Sequence, residues 1–201
     1  MTSFNLDLLK ELHTLWEPVY PHLIKQIHEL YSRSDGNILE IGPFCGMVFF
    51  LQTEKMGNSF WIATFPKGMR DFFHQEAKKR KLEDKIEIVE TDSSLKGIKG
   101  SSIDLAIFRG AFFFPSLFRV NLSAIYRVLR PNGIAFVGGG FGKYTPNRVI
   151  EKIGKRSRDL NLQLGKMEIT EDDLRQRIKA NNLEGKAKIL SEGGLWVVMR
   201  K

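Results

Sequence analysis

The sequence predicts an α/β fold built on a mostly parallel sheet. Short runs rich in β-branched and aromatic residues alternate with helical patterns from residue 38 onward, the mark of strand–helix–strand units. Two more runs at the end of the chain flank Glu192-Gly193-Gly194 in a hairpin pattern, which puts one antiparallel strand into the sheet. A helical leader precedes them all.

In that leader, Leu6, Leu9, Leu12 and Trp16 recur at helical spacing. Pro18 and Pro21 break the pattern, and Leu23, Ile24, Ile27, Leu30 and Tyr31 resume it on a second helix. Asp35-Gly36-Asn37 is a turn signal, after which Ile38-Leu39-Glu40-Ile41-Gly42 reads as a buried strand ending on glycine. Residues 60–64 make a second strand, 67–81 a helix, 86–89 a third strand and 103–108 a fourth. Leu122, Ile125, Tyr126, Val128 and Leu129 mark a helix that stops at the Arg130-Pro131-Asn132-Gly133 turn, and 134–137 form the fifth strand. Thr170, with Asp173 three residues on, is an acidic variant of the capping box and starts a helix that runs to about Asn181. The hairpin joins 187–190 to 195–199.

The chain has 201 residues, 42% of them hydrophobic, enough for one domain that buries roughly 70% of its unfolded surface. A single domain over 1–201 is expected, with a leader over 1–35 and an α/β core over 36–201. One cysteine, Cys45, excludes an internal disulfide framework and a Cys-rich zinc site. Four histidines without an H-E-x-x-H pattern give no support for a metal site. The N-terminus lacks a basic start followed by an apolar run, and no stretch approaches the ~20 apolar residues of a membrane span, so no membrane association and a cytoplasmic location are expected.

The formal net charge is +8. Basic residues gather at Lys78-Lys79-Arg80-Lys81 and among Lys143, Arg148, Lys152, Lys155, Arg156 and Arg158. Such clusters suit a phosphate-rich partner such as RNA. They also suit solvated helix faces, since Glu76, Glu83, Asp84, Glu151 and Asp159 intersperse them and no aromatic interleaving makes a stacking platform.

A strand that ends in glycine and leads into a helix offers free backbone N–H groups and a positive helix end. Here the loop is Glu40-Ile41-Gly42-Pro43-Phe44-Cys45-Gly46, with Val48, Phe49 and Leu51 behind it. No Gly-Lys-Ser/Thr follows, so it is not a phosphate loop. The middle glycine and the distal acid of a dinucleotide fingerprint are both missing.

The loop resembles the first motif of class I, seven-strand S-adenosylmethionine-dependent methyltransferases: an acid, an apolar residue, then G-x-G-x-G. Glu40, Gly42 and Gly46 match it, and Phe44 stands where the middle glycine belongs. Asp92, in Glu90-Thr91-Asp92-Ser93, falls at the family's adenine-contacting acid. Residues 103–108 resemble its fourth-strand motif, with Arg109-Gly110 leading into the substrate-facing loop. Residues 126–133 resemble its helix–Pro–Gly turn, and the capped helix and hairpin match its C-terminal end. The resemblance covers roughly residues 36–201. It implies a doubly wound, mostly parallel seven-stranded sheet with a C-terminal antiparallel hairpin and an N-terminal helical lid. It also implies S-adenosylmethionine as cofactor, with Glu40, Gly42, Pro43, Gly46, Thr64, Asp92, Ser93 and Arg109 as candidate contacts. One departure matters. The family ends its second strand on an acid that holds the ribose hydroxyls, whereas this one ends Ala63-Thr64-Phe65-Pro66. A hydrogen bond to a charged group contributes about 1.5–3 kcal/mol, so its loss lowers the expected affinity about tenfold to a hundredfold.

A methyl on a sulfonium is already electrophilic, so transfer needs alignment and dry surroundings more than a general base, and no catalytic base is assigned. For the substrate, Arg109 is a candidate for an anionic group, with a surface arginine paired to a helix acid as the plain alternative. Phe112, Phe113 and Phe114 cannot all point into the core from one short segment, so at least one lines a pocket or meets the leader, where Trp16 and Tyr20 offer a second wall. Cys45 suits small apolar packing rather than nucleophilic work. No Asn/Asp-Pro-Pro-aromatic motif follows the fourth strand, which argues against amino-methylation of adenine or cytosine, and no Pro-Cys follows it, which argues against cytosine C5 chemistry. A small apolar or aromatic substrate is expected. RNA methylation, and ligand binding or scaffolding without catalysis, remain the alternatives.

Overall fold

The computed structural model describes residues 5–201; the first four residues of the leader lie outside it. The leader forms α1 (Leu6–Trp16), a 3-10 turn (Glu17–Val19) and α2 (Tyr20–Tyr31). Asn5 caps α1 through its side-chain oxygen, and Pro18 and Pro21 sit in the first turns of the elements they begin, where a missing N–H costs nothing.

The core follows as β1 (Asn37–Ile41), α3 (Met47–Thr53), β2 (Ser59–Thr64), α4 (Met69–Lys79), β3 (Ile86–Glu90), β4 (Ile103–Arg109) and α5 (Leu122–Val128). It ends with β5 (Leu129–Gly139), α6 (Asn147–Gln163), α7 (Glu171–Ala180), β6 (Ala187–Leu190) and β7 (Leu195–Arg200). One seven-stranded sheet has the order β3-β2-β1-β4-β5-β7-β6. β1 to β5 run parallel, and β7 is antiparallel to both β5 and β6.

Layers cover both faces, which is why β1 and β4 read as nearly unbroken apolar runs. Alternate residues separate cleanly. Ile38, Ile62, Leu105 and Ile107 face the leader, α3, α4 and α6, whereas Leu39, Ile41, Ala63 and Ala106 face α5 and α7. Strand order reverses between β1 and β4, and the carboxyl ends there form the switch-point crevice in which such sheets hold ligands.

The expected elements are present, with three differences. The helix expected over 67–81 starts at Met69, because Gly68 has φ +96° and cannot belong to it. The expected turn at 130–133 lies within β5: Asn132 adopts φ +64° and its N–H donates to Lys201 O at 2.7 Å, stitching the turn to the C-terminus. α6 has no counterpart among the expected elements. Only Ile153, Ser157 and Leu160 are buried on it, too sparse a stripe to stand out among its charges.

Candidate active site

At the carboxyl end of β1, Glu40 is fully buried, and its carboxylate accepts from the N–H groups of Gly46 (2.8 Å), Val48 (2.9 Å) and Met47 (3.3 Å). Burial pushes this carboxyl above its ordinary value, and these N–H bonds and the Arg109 charge oppose the shift. The donors expected to await a ligand at the start of α3 are therefore taken by the protein itself. Residues 42–46 are buried throughout. Gly42 has φ +95°, and a Cβ on it would sit 2.5 Å from the Phe108 ring. Gly46 has φ +154° and is backed by His13 and Tyr20. Cys45 is fully buried and donates to Gly42 O at 3.0 Å, a packing role.

Thr64 is also fully buried, with Oγ1 donating to Gly42 O at 3.4 Å. Beyond it, Phe65 packs on Phe108 (5.8 Å between centroids) and Phe118 (5.7 Å). Phe118 meets Phe108 (5.3 Å) and Phe44 (6.2 Å), and Phe44 meets Phe114 (4.8 Å). Phenylalanines from the β1, β2 and β4 loops thus fill the switch-point crevice. One strand over, Asp92 is exposed, and its carboxylate accepts from Ser94 N (2.8 Å) and Ser94 Oγ (2.5 Å), which hold it below its ordinary value; Ser93 is half-buried beside it. Glu40, Gly42, Pro43, Gly46 and Thr64 converge. Asp92 and Ser93 stay on the rim, and Arg109 turns toward the leader.

Arg109 is 4% exposed at the end of β4. Its Nη2 donates to Phe44 O (2.7 Å) and Tyr20 Oη (2.9 Å), and its guanidinium lies over the rings of Trp16 (4.9 Å) and Tyr20 (5.0 Å). No carboxylate pairs with it among the described residues, so the surface-pair alternative does not hold. Burial pushes the Tyr20 phenol up, keeping it a neutral acceptor for the guanidinium.

Beside Arg109 opens a cavity of about 670 Å³. Trp16, Phe44, Phe113, Phe114 and Phe141 wall it, and Gly110, Gly139 and Gly140 lie along its strand-end side. Trp16 stacks on Phe141 at 4.8 Å and donates through Nε1 to Ser157 on α6 at 2.9 Å, so the leader forms one wall. Of the expected substrate residues, Trp16, Phe113 and Arg109 line this space. Tyr20 lies fully buried behind it, and Phe112 packs into the opposite layer at φ +73°.

His13 was not singled out in the sequence. Its Nδ1 lies 2.8 Å from Cys45 O, which can only accept, so Nδ1 carries the proton and ties the leader to the glycine loop. Its Nε2 lies 3.7 Å from Glu17 and 3.8 Å from Glu76. These three residues have ligand atoms close enough to hold a cation, but Arg80 bridges both carboxylates and Lys79 reaches Glu76 at 2.6 Å, supplying the positive charge a metal would bring. A lone histidine in an apolar stripe gives no warning of such a contact. Other basic residues also serve as ties: Arg156 pairs with Glu11 at 2.6 Å and Lys143 with Glu29 at 2.7 Å, both joining later elements to the leader.

An adenosyl group does not fit the crevice as it stands. Its place is taken by Phe65, Phe108 and Phe118, Thr64 is spent on a backbone carbonyl, and the loop N–H groups are spent on Glu40.

Comparison with known proteins agrees with the topology. A family model described as a methyltransferase domain matches residues 39–137, from β1 through β5. No curated protein matches the sequence significantly. Among solved structures, a protein of Methanococcus maripaludis assigned to the S-adenosyl-L-methionine-dependent methyltransferases superposes with TM-score 0.77 at 22% identity, over 100% of this chain and 95% of that one. A Haloferax volcanii complex of the Trm112 methyltransferase activator with its assigned methyltransferase gives 0.65 at 12% identity, covering 100% and 99%. Geranyl diphosphate C-methyltransferase of Streptomyces coelicolor, bound to S-adenosyl-L-homocysteine, gives 0.56 at 10% identity, covering 88% and 74%. From its strand order and the matching domain model, the chain carries a methyltransferase domain over residues 39–137 on the seven-stranded fold of the S-adenosylmethionine-dependent methyltransferases.

Proposed function

We propose that the chain methylates a small molecule with an apolar or aromatic body, held in the cavity between the leader, the ends of β4 and β5, and α6. The position and lining of that cavity carry the reading. It adjoins the glycine loop at the carboxyl ends of parallel strands, and its aromatic walls offer an apolar surface on which an acceptor would be aligned. The geranyl diphosphate enzyme shows that this fold serves small acceptors with apolar chains. Glu40, Gly42, Pro43, Gly46, Thr64, Asp92, Ser93 and Arg109 are the candidate surroundings of the cofactor; Phe65 and Phe118 would have to leave the crevice for it to reach the buried Gly42 and Thr64. Trp16, Phe113 and Arg109 are the candidate surroundings of the acceptor.

The filled crevice favours a second reading, a family member that binds a ligand in the same cavity without turnover. One experiment separates the two. The protein is incubated with S-adenosylmethionine and a panel of aromatic and aliphatic acceptors, release of S-adenosylhomocysteine is followed, and calorimetry measures binding of the product alone. Release that depends on an acceptor supports methyl transfer. No release, with no product binding at millimolar concentration, puts the second reading in its place.

A further inference from the structure

We infer that the cavity beside Arg109 is a carboxylate site, and that its ligand is a monocarboxylic acid with an apolar or aromatic body. This rests on the reading of that cavity as the acceptor site and adds the charge its occupant must carry.

Among the described residues, Arg109 is the only buried charged one on the cavity's lining; Arg158, Lys166 and Glu168 stand exposed at its mouth. Both Nη2 hydrogens are spent, on Phe44 O and Tyr20 Oη. Among the described residues, Nε is buried without an acceptor, and the hydrogen bonds of the guanidinium all come from Nη2. A guanidinium cannot shed its proton to escape burial, so an unmatched one is costly unless something supplies an anion. Glu40 does not fill that role by contact. It lies beyond ion-pair distance and already accepts from three backbone N–H groups. Trp16, Tyr20 and Phe44 add ring faces to the two neutral acceptors, which soften the cost without supplying a negative charge.

Glu40 acts on Arg109 only from beyond contact, so an anion in direct contact with the guanidinium would enter through the cavity. One unpaired guanidinium matches one negative charge. Inside the mouth the other polar side chains are the neutral Ser157 and Asn161; the cations Arg158 and Lys166 stand exposed at the mouth, and among the described residues no second buried cation lines the cavity. A carboxylate is the monoanion whose oxygens accept charge-assisted bonds from such a group. The ligand's body is set by the walls, which are aromatic rings, and by the mouth, where Leu162 (63% exposed) and Met167 (56%) are the large apolar residues left in solvent. A volume of about 670 Å³ holds an acid of one or two rings, within the usual range for small-molecule sites.

The test uses the full chain and four acids, benzoate, trans-cinnamate, indole-3-acetate and octanoate, each beside its neutral amide and with phenyl phosphate as a dianionic arm. Binding is read by calorimetry and by quenching of tryptophan fluorescence, because Trp16 forms a wall. At least one acid should bind tenfold or more tighter than its amide. Arg109→Gln should abolish that preference, costing the acid at least tenfold more affinity than its amide. Should that variant fail to fold, Gly154→Phe serves instead. A side chain at this helical glycine meets nothing within 4 Å and enters the cavity, so all ligand binding should be lost with the fold intact. The proposal is overturned if no acid exceeds its amide tenfold, if phenyl phosphate binds tighter than every acid, or if Gly154→Phe leaves acid binding unchanged. S-Adenosylhomocysteine binding is measured alongside. Its failure would sink the methyltransferase reading, whatever the acids do, and its success with indifferent acids would sink only the carboxylate.

Discussion

Phe118 is the one ring of the crevice cluster that remains half-buried, and it comes from the loop between β4 and α5, so removing it should open the crevice with the least damage to the sheet. It meets Phe108, Phe65 and Phe44 at centroid distances of 5.3, 5.7 and 6.2 Å. Aromatic pairs contribute about 0.5–1.5 kcal/mol each; three at the lower half of that range, about 1.5–3 kcal/mol, hold the ring in place. A cofactor that binds only the open form has its affinity reduced by the open fraction, so this energy weakens binding roughly ten- to a hundredfold. Phe118→Ala should therefore bind S-adenosylhomocysteine about ten- to a hundredfold more tightly than the parent chain. It should also lose about 1–3 kcal/mol of stability, less than a fully buried phenylalanine would cost. Isothermal calorimetry measures the affinity and urea unfolding the stability. Phe72→Ala, which removes a ring beside His13 and away from the crevice, serves as control and should leave the affinity unchanged. Equal affinity in Phe118→Ala and the parent chain would refute the idea that this ring closes the crevice.

Two further substitutions test the leader. Glu76 is held well below its ordinary value of 4.5 by the His13 imidazole 3.8 Å away and by the Lys79 and Arg80 cations. A depressed folded-state value means stability that is present above pH 4.5 and lost as pH falls below it; Glu76→Gln should therefore flatten the acid side of a stability–pH profile measured by urea unfolding. Leu9 is fully buried, so Leu9→Ala should cost about 2–5 kcal/mol and lower the melting temperature by roughly 4–20 °C, whereas a leader that rests loosely on the core would show almost no change by calorimetry.

The strands were legible because β1 and β4 are buried on both faces, which writes unbroken apolar runs into the sequence. Thr170 was legible for a local reason as well: its capping box spans three residues, and both of its hydrogen bonds form. The contents of the site were harder to read, because they depend on contacts that topology alone creates. Phe44, Phe65, Phe108 and Phe118 are spread over some 75 positions and meet only where the ends of three strands come together. Arg109 was open to two readings in the sequence, and what decided between them were acceptors 65 and 89 residues away, at Phe44 and Tyr20. Glu40 sits on β1, and its three N–H partners lie six to eight residues on and curl the loop back onto it, a geometry that spacing does not reveal.

Phe44 accounts for both unusual features of this site. Its ring, standing where the family has its middle glycine, packs on Phe114 and Phe118 and helps close the crevice. Its carbonyl oxygen accepts from Arg109 and holds the guanidinium against the cavity. A glycine there could supply the carbonyl but not the ring, so the departure bears on the crevice while leaving the anchor for Arg109 intact. The same ring sits against Gly110, whose missing side chain makes room for it. Gly110, just past the end of β4, therefore has to lack a side chain for the Phe44 ring to pack where it does.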